Sequence, residues 1–417
     1  MKVRFCLPLA ALVAIGCATR DPNALLQSAE DRLAQDLPGI FAQSAESYRA
    51  LDMTATTLML DFEGKPLAPH GFLRDKGQLD MRSIYWWTAG HFPGSLWLLH
   101  EATGDWFLRD RAKAWTERLA PNAKVTNNHD VGFIMQCSYG NARRLLKTGD
   151  YDDLLAEAAA SLCRRFNPEL GLIRSWGAIT NRDEFLVIPD NLMNLELLEE
   201  ASRMGKGPEN GAYFDRVARS HADVTMRNHF DEYGACHHVL NYSQADGRVQ
   251  EIRRGQGASC TTAWSRGQAW AIYGYTMMYR YTRDARYRDF ARKLADYAIN
   301  HPHMPADGVP YWDFGAPGEE RDSSAAAVMA SALLELQGYM DEPAARARYR
   351  AFAVRQLTTL SSSEYRADKR ELGGFILRHG VGNKPGASEI DTPLDYGDYY
   401  YLEALVRFRR LRENEKR

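Results

Sequence analysis

One unit recurs along this chain: an apolar helix pattern, a short polar turn, then an amphipathic helix pattern. Thr103-Gly104-Asp105 joins SLWLLHEA to WFLRDRAKAWTERL, and Thr148-Gly149-Asp150 joins NARRLLK to YDDLLAEAAASLCRRF. Thr282-Arg283-Asp284 joins AWAIYGYTMMYRY to ARYRDFARKLADYA, with weaker copies at 205–211 and at Met340-Asp341. The Asp of each turn can cap the second helix, and glycine suits the end of the first. In each pair the first helix is apolar over most of its surface and the second on one face only, which predicts an inner and an outer helix. About six such pairs fit the length, counting the C-terminal YYYLEALVRF. An all-α (α/α)6 barrel, six inner and six outer helices in a closed ring, follows more naturally than an open superhelix. Strand-like alternation is brief, at 172–176 and 375–378. No long linker interrupts the repeats, so residues 31–412 read as one domain, preceded by a leader at 1–17 and a tether at 18–30.

Composition bears on what such a domain can bind. The 417 residues are 45% hydrophobic, enough for a large core, and carry nine Trp and 21 Tyr, rings that suit the lining of a sugar cleft. The net charge of −2 sets up no global field for nucleic acid or an anionic membrane. An anionic ligand must therefore be met by local arginines. Lys2 and Arg4 precede an apolar run from Phe5 to Ile15 that is too short to span a bilayer. Ala14-Ile15-Gly16-Cys17 resembles a lipobox, although Leu is usual at its first position. The expectation is an exported protein lipidated on Cys17, in the periplasm or on the outer membrane of a Gram-negative cell, touching a membrane only through that lipid. Plain secretion is the alternative. Cys137, Cys163, Cys236 and Cys260 are widely spaced without a CxxC pair, so buried free thiols are expected and no metal site or cofactor. Nothing in the chain speaks to oligomeric state.

Unusual motifs fall where loops enter the apolar helices. In LVIPDNLMNLELLEE, Asp190 sits where an extended apolar run meets Pro189 and a helix. An acid wedged there is partly dehydrated, which raises its pKa as a general acid requires; the rival role is a helix cap. His129-Asp130 opens another helix 60 residues earlier, at the equivalent point of a neighbouring repeat, so in a closed ring both acids face one cavity. YWWTAGHFPGSLWLL offers Trp86 or Trp87 to a sugar ring, with glycines that allow close backbone approach. RRGQGASCTTAWSRGQAW concentrates Gln256, Arg266, Gln268 and Trp270, and Arg266 suits two-pronged carboxylate binding. YWDF with RDSS at 311–324, and GNKPGASEIDTPLDYGDYYY at 382–401, complete the set. His237-His238 is a weak pair, one ring of which can stack on substrate.

Taken in order, WWTAGHFPGSLWLLHEATGD, HDVGF, IPDNLMNLELLEEAS, TTAWSRGQAWAIYG, YWDFGAP, RDSSAAAV and GDYYYLEAL resemble glycoside hydrolase family 88, the unsaturated glucuronyl hydrolases. The resemblance implies an (α/α)6-barrel catalytic domain, and it implies roles. Asp190 corresponds to the general acid/base, His129 and Asp130 to the HD pair with Asp130 the second essential carboxylate, and Trp87 and Trp176 to the substrate-site tryptophans. His238, Gln256, Arg266 and Trp270 correspond to further substrate-binding residues. The implied partners are oligosaccharides that lyases leave with a 4,5-unsaturated uronic acid at the non-reducing end. The implied reaction hydrates that C4=C5 vinyl ether. Pro189, and His91-Phe92-Pro93, depart from the usual family residues at positions that shape the pocket. A family 105 unsaturated rhamnogalacturonyl hydrolase and a sugar epimerase on the same fold, which would rely on His237 and His238, are the alternatives.

Overall fold

The computed structural model describes residues 22–369 and 371–416. The expected leader, with Cys17, lies outside the described residues. Helix α1 (Pro22–Thr57) is followed by strands β1 (Leu67–Leu73) and β2 (Gln78–Ser83), then α2 (His91–Thr103) and α3 (Trp106–Glu117). Helices α4 (Val131–Met135) and α5 (Asn141–Leu146) continue one another through a π-helical turn at Gln136–Gly140, and α6 (Asp152–Cys163) follows. Strands β3 (Phe166–Asn167), β4 (Leu172–Ile173) and β5 (Leu186–Val187) lead to α7 (Asn191–Arg203) and α8 (Ala212–Asn228). After β6 (Val239–Tyr242) and β7 (Val249–Arg253) come α9 (Ser265–Thr282), α10 (Ala285–Asn300), α11 (Ser323–Leu336), α12 (Pro343–Leu360) and α13 (Asp395–Glu415).

The inner-outer expectation holds in the burial. Nearly every residue from 265 to 278 of α9 and from 323 to 334 of α11 is buried, whereas α10 buries only one face. Helix α4 packs on α7, α7 on α9, α9 on α11, α11 on α13, α13 on α2, and α2 on α5. Together these helices line one cavity of about 550 Å³ at their C-terminal ends, where Arg280 pairs with Glu196 and Glu335, and Arg407 with Glu335. Helices α3, α6, α8, α10 and α12 each pack on the helix of the preceding inner segment, and α1 packs on α2, α12 and α13.

Local chemistry explains some turns and not others. Asp105 and Asp284 cap α3 and α10, accepting from the backbone N–H two residues on at 3.0 Å in both cases. Each such cap stabilises its helix by about 1 kcal/mol. Asp150 does not cap: Tyr151 holds the cap position of α6, and the left-handed residue that ends α5 is Lys147 rather than Gly149. The expected tether at 18–30 is also corrected, because α1 already runs from Pro22. Glu30 is 1% exposed and accepts from Arg412 at 2.8 Å, with Arg350 as its second partner. Those arginines lie more than 300 positions away, so nothing local in PNALLQSAED announces the helix. The hairpin β1–β2 and the three-stranded sheet β5–β6–β7 add antiparallel strands to the helical frame. Cys137, Cys163 and Cys236 are buried free thiols as expected, but Cys260 is exposed.

Candidate active site

Asp130 and Asp190 stand at the N-terminal ends of α4 and α7, two packed neighbours. Gly132 lets these helices close: a Cβ there would lie 2.5 Å from the Cα of Asn194. Asn194 then bridges them, accepting from the Phe133 N–H at 2.7 Å and donating to the Asp190 carbonyl at 3.2 Å. Neither acid caps its helix, although both hold the cap position. Asp190 has helical backbone angles and its side chain makes no cap bond to α7; it is 7% exposed, and its Oδ2 has no hydrogen-bond partner among the described residues. Burial pushes its pKa up to about 6, against the pull of His129 and Arg266 and with help from Asp130. Burial likewise pushes Asp130 up to about 7, with Arg165 pulling the other way. Both acids are shifted toward holding a proton near neutral pH. His129 lies with Nε2 3.3 Å from Oδ1 of Asp130; burial lowers its pKa to about 4, so the ring is neutral there.

The other expected residues divide. Trp87 is half-buried and faces Tyr396 at 4.8 Å between ring centroids and Phe133 at 5.5 Å. Trp176 is 38% exposed, its ring edge-on to His129 at 6.4 Å. These two remain available to a ligand. His238 is buried against Trp264, with Nε2 3.0 Å from Oε1 of Gln256, and burial lowers its pKa to about 3. A ring that holds no proton near neutrality is a poor acid for an epimerase. Gln256 in turn donates to the Gly382 carbonyl at 3.1 Å.

Arg266 and Trp270 lie deeper than the other expected residues. Arg266 is 1% exposed, and its terminal nitrogens bind Asp322 at 3.2 Å, the Val381 carbonyl, and the Gly382 carbonyl at 2.7 Å. The fork expected to clamp a substrate carboxylate is bound by the protein itself, while Nε lacks a partner among the described residues. Arg266 fastens segment 381–382 over the site and contributes charge to it. Trp270 is fully buried, its ring 5.2 Å from those of Phe133 and Tyr400.

Sequence reasoning missed Arg165. It is 2% exposed at the end of α6 and donates to the carbonyls of Thr126 and Arg174, both at 2.8 Å, and of Gly177 at 3.1 Å. It therefore ties the His129 loop to the Trp176 loop and adds a positive charge beside Asp130. In CRRF it reads as one more outer-helix arginine, and only the chain's return past residue 174 reveals its work. Asn191, which donates to the Ile173 carbonyl at 2.8 Å, was passed over for the same reason.

No family model matches the chain. An unsaturated glucuronyl hydrolase of Formosa agariphila is 41% identical over 325 residues, 77% of this chain and 79% of that protein. An unsaturated glucuronyl hydrolase of Bacillus sp. (strain GL1) is 34% identical over 333 residues, 78% of this chain and 86% of that one. The crystal structure of an unsaturated glucuronyl hydrolase specific for heparin superposes with a TM-score of 0.81 at 41% identity, covering 90% of this chain and 98% of that chain. Paired dehydrated acids, the helical frame and these likenesses agree: the chain belongs to the unsaturated glucuronyl hydrolases of glycoside hydrolase family 88.

Proposed function

We propose that this protein, an (α/α)6 barrel, is a glycosidase that removes the 4,5-unsaturated uronic acid from the non-reducing end of lyase-generated oligosaccharides. The observation that carries the reading is the pair of uncapped carboxyls, buried Asp190 and half-buried Asp130, both raised in pKa at adjacent helix ends. The C4=C5 bond and the ring oxygen form a vinyl ether whose nucleophilic carbon is C4. Asp190 gives its proton to C4, and C5 takes on oxocarbenium character shared with the ring oxygen. Asp190, now a carboxylate, accepts a proton from water as the water oxygen bonds to C5. The resulting hemiketal opens to a ketone and releases the aglycone, so one water is consumed and Asp190 returns protonated. Asp130 holds sugar hydroxyls and keeps Asp190 from ionising early. Neutral His129 orients Asp130, and the rings of Trp87 and Trp176 meet the sugar.

Relatives named as unsaturated glucuronyl hydrolases support this reading, as do those named unsaturated chondroitin disaccharide hydrolases, one of which, from Streptococcus pyogenes, is 31% identical over 333 residues. The substrate class is unsaturated disaccharides of glycosaminoglycans. A panel of sulfated and unsulfated heparin-, chondroitin- and hyaluronan-type unsaturated disaccharides, beside a pectin-derived unsaturated one, tests it by loss of the conjugated chromophore. Activity on at least one glycosaminoglycan disaccharide is expected; turnover of the pectin fragment alone would move the protein to the family 105 activity.

We also propose export and lipidation at Cys17, motivated by Ile15-Gly16-Cys17 at the end of the short apolar run. Mass spectrometry of protein from the native envelope is expected to find an N-terminal lipid-modified Cys17. An unmodified N-terminus elsewhere would refute it.

A further inference from the structure

One buried side chain joins three segments that border the site. His70, on β1, is 1% exposed. Its Nε2 lies 2.8 Å from Oε1 of Glu389; its Nδ1 lies 2.9 Å from Oγ1 of Thr88 and 3.5 Å from Oδ1 of Asp395. Each partner adjoins a piece of the site. Thr88 follows Trp87. Asp395 precedes Tyr396, whose ring faces Trp87 at 4.8 Å and lies 5.0 Å from the Arg266 guanidinium carbon. Glu389 belongs to the segment that Arg266 fastens at Val381 and Gly382, and its backbone carbonyl accepts from the Gly382 N–H at 2.7 Å.

The chemistry of this junction calls for a cation. Asp395 is fully buried, with Oδ2 unpartnered among the described residues, and burial pushes its pKa up to about 6. Burial alone would lower the pKa of His70, but the hydrogen bonds and charges of Asp395 and Glu389 override it and raise the value to about 10. The imidazolium thus donates at both nitrogens. Removing it would leave two carboxyls facing each other in a dehydrated place, a loss that forces movement of whichever segment is free to move.

We infer that His70 is a positioning residue for the reaction: by binding Thr88, Asp395 and Glu389 together it holds Trp87 and Tyr396 as one rigid side of the uronate site. Its role is on substrate affinity, not proton transfer. The inference rests on the reading above that Trp87 meets the sugar.

The test compares His70→Leu, Thr88→Val and Trp87→Ala by steady-state kinetics on an unsaturated disaccharide that the wild type turns over. His70→Leu is expected to raise KM by roughly 10-fold or more and Thr88→Val by about 3–10-fold, with kcat within about 3-fold of wild type in both. Trp87→Ala is expected to raise KM at least as far as Thr88→Val. A His70→Leu protein with lowered Tm but unchanged KM would make His70 merely structural and overturn the inference. Should His70→Leu not fold, Thr88→Val decides alone, and an unchanged KM there overturns it. If Trp87→Ala raises KM while the other two do not, the inference fails and the reading of Trp87 stands. If Trp87→Ala leaves KM unmoved, that reading fails and the inference with it.

Discussion

Asp190→Asn is expected to lower kcat on the order of 10²–10⁴-fold or more while the fold survives. The substitution keeps the shape of the side chain and removes the group that gives a proton to C4 and takes one from water. The structure removes the competing explanation for a loss of activity. Asp190 makes no side-chain cap bond to α7, so its replacement costs the helix no cap. The effect on stability runs the other way. The folded pKa of Asp190 is raised from 3.8 to about 6, so its favourable contribution is whole below about pH 3.8, is lost as pH rises from there to about 6, and changes no further above that. Asn has no charge to bury. The variant is therefore expected to melt at or above the wild-type temperature at pH 8, with a smaller difference at pH 5. Thermal melts at the two pH values, together with turnover by chromophore loss, check both halves. Retention of more than about a tenth of wild-type activity would remove Asp190 from the proton-transfer role.

The second large effect is qualitative. In D₂O the released keto-uronic acid is expected to carry deuterium at C4, and in ¹⁸O water the label is expected at C5. A matching saturated glucuronide is expected to be inert, because it has no double bond to protonate. An ordinary two-carboxylate glycosidase places the label at C1 and leaves C4 unexchanged. Mass and NMR analysis of the product separates the two. Comparable hydrolysis of the saturated glucuronide with label at C1 would exclude hydration; it would leave the helical frame and the two acids untouched and overturn the proposed mechanism.

How legible the site was depended on whether a residue acts through its own sequence neighbours. Asp130 and Asp190 were readable because each opens an apolar helix at a matching repeat position, and Leu186-Val187 was readable as the strand before one of them. Arg266 was readable as an important arginine, but its target was not. Its fork binds Asp322 and the carbonyls of Val381 and Gly382, more than 50 and 100 positions on, and sequence alone offers no way to tell a substrate carboxylate from a distant carbonyl. Trp270 shows the same limit: nothing in its motif announces that the rings of Phe133 and Tyr400 pack against it.

Sequence by itself determined the alternation of inner and outer helices, because the width of an apolar face is a property of residues three and four apart. It also determined the placing of acids at helix entrances, and two of the three turns read as Asp caps. Tertiary structure alone decided which acids escape capping, which distant groups Arg165 and Arg266 bind, and that α1 starts at Pro22 rather than trailing as a tether. Those outcomes turn on burial and on partners brought from far along the chain. The pKa of Asp190 follows the water excluded around it, and the helix at Pro22–Glu30 follows the arginines at 350 and 412 that meet Glu30. Neither quantity exists until the chain has closed around it.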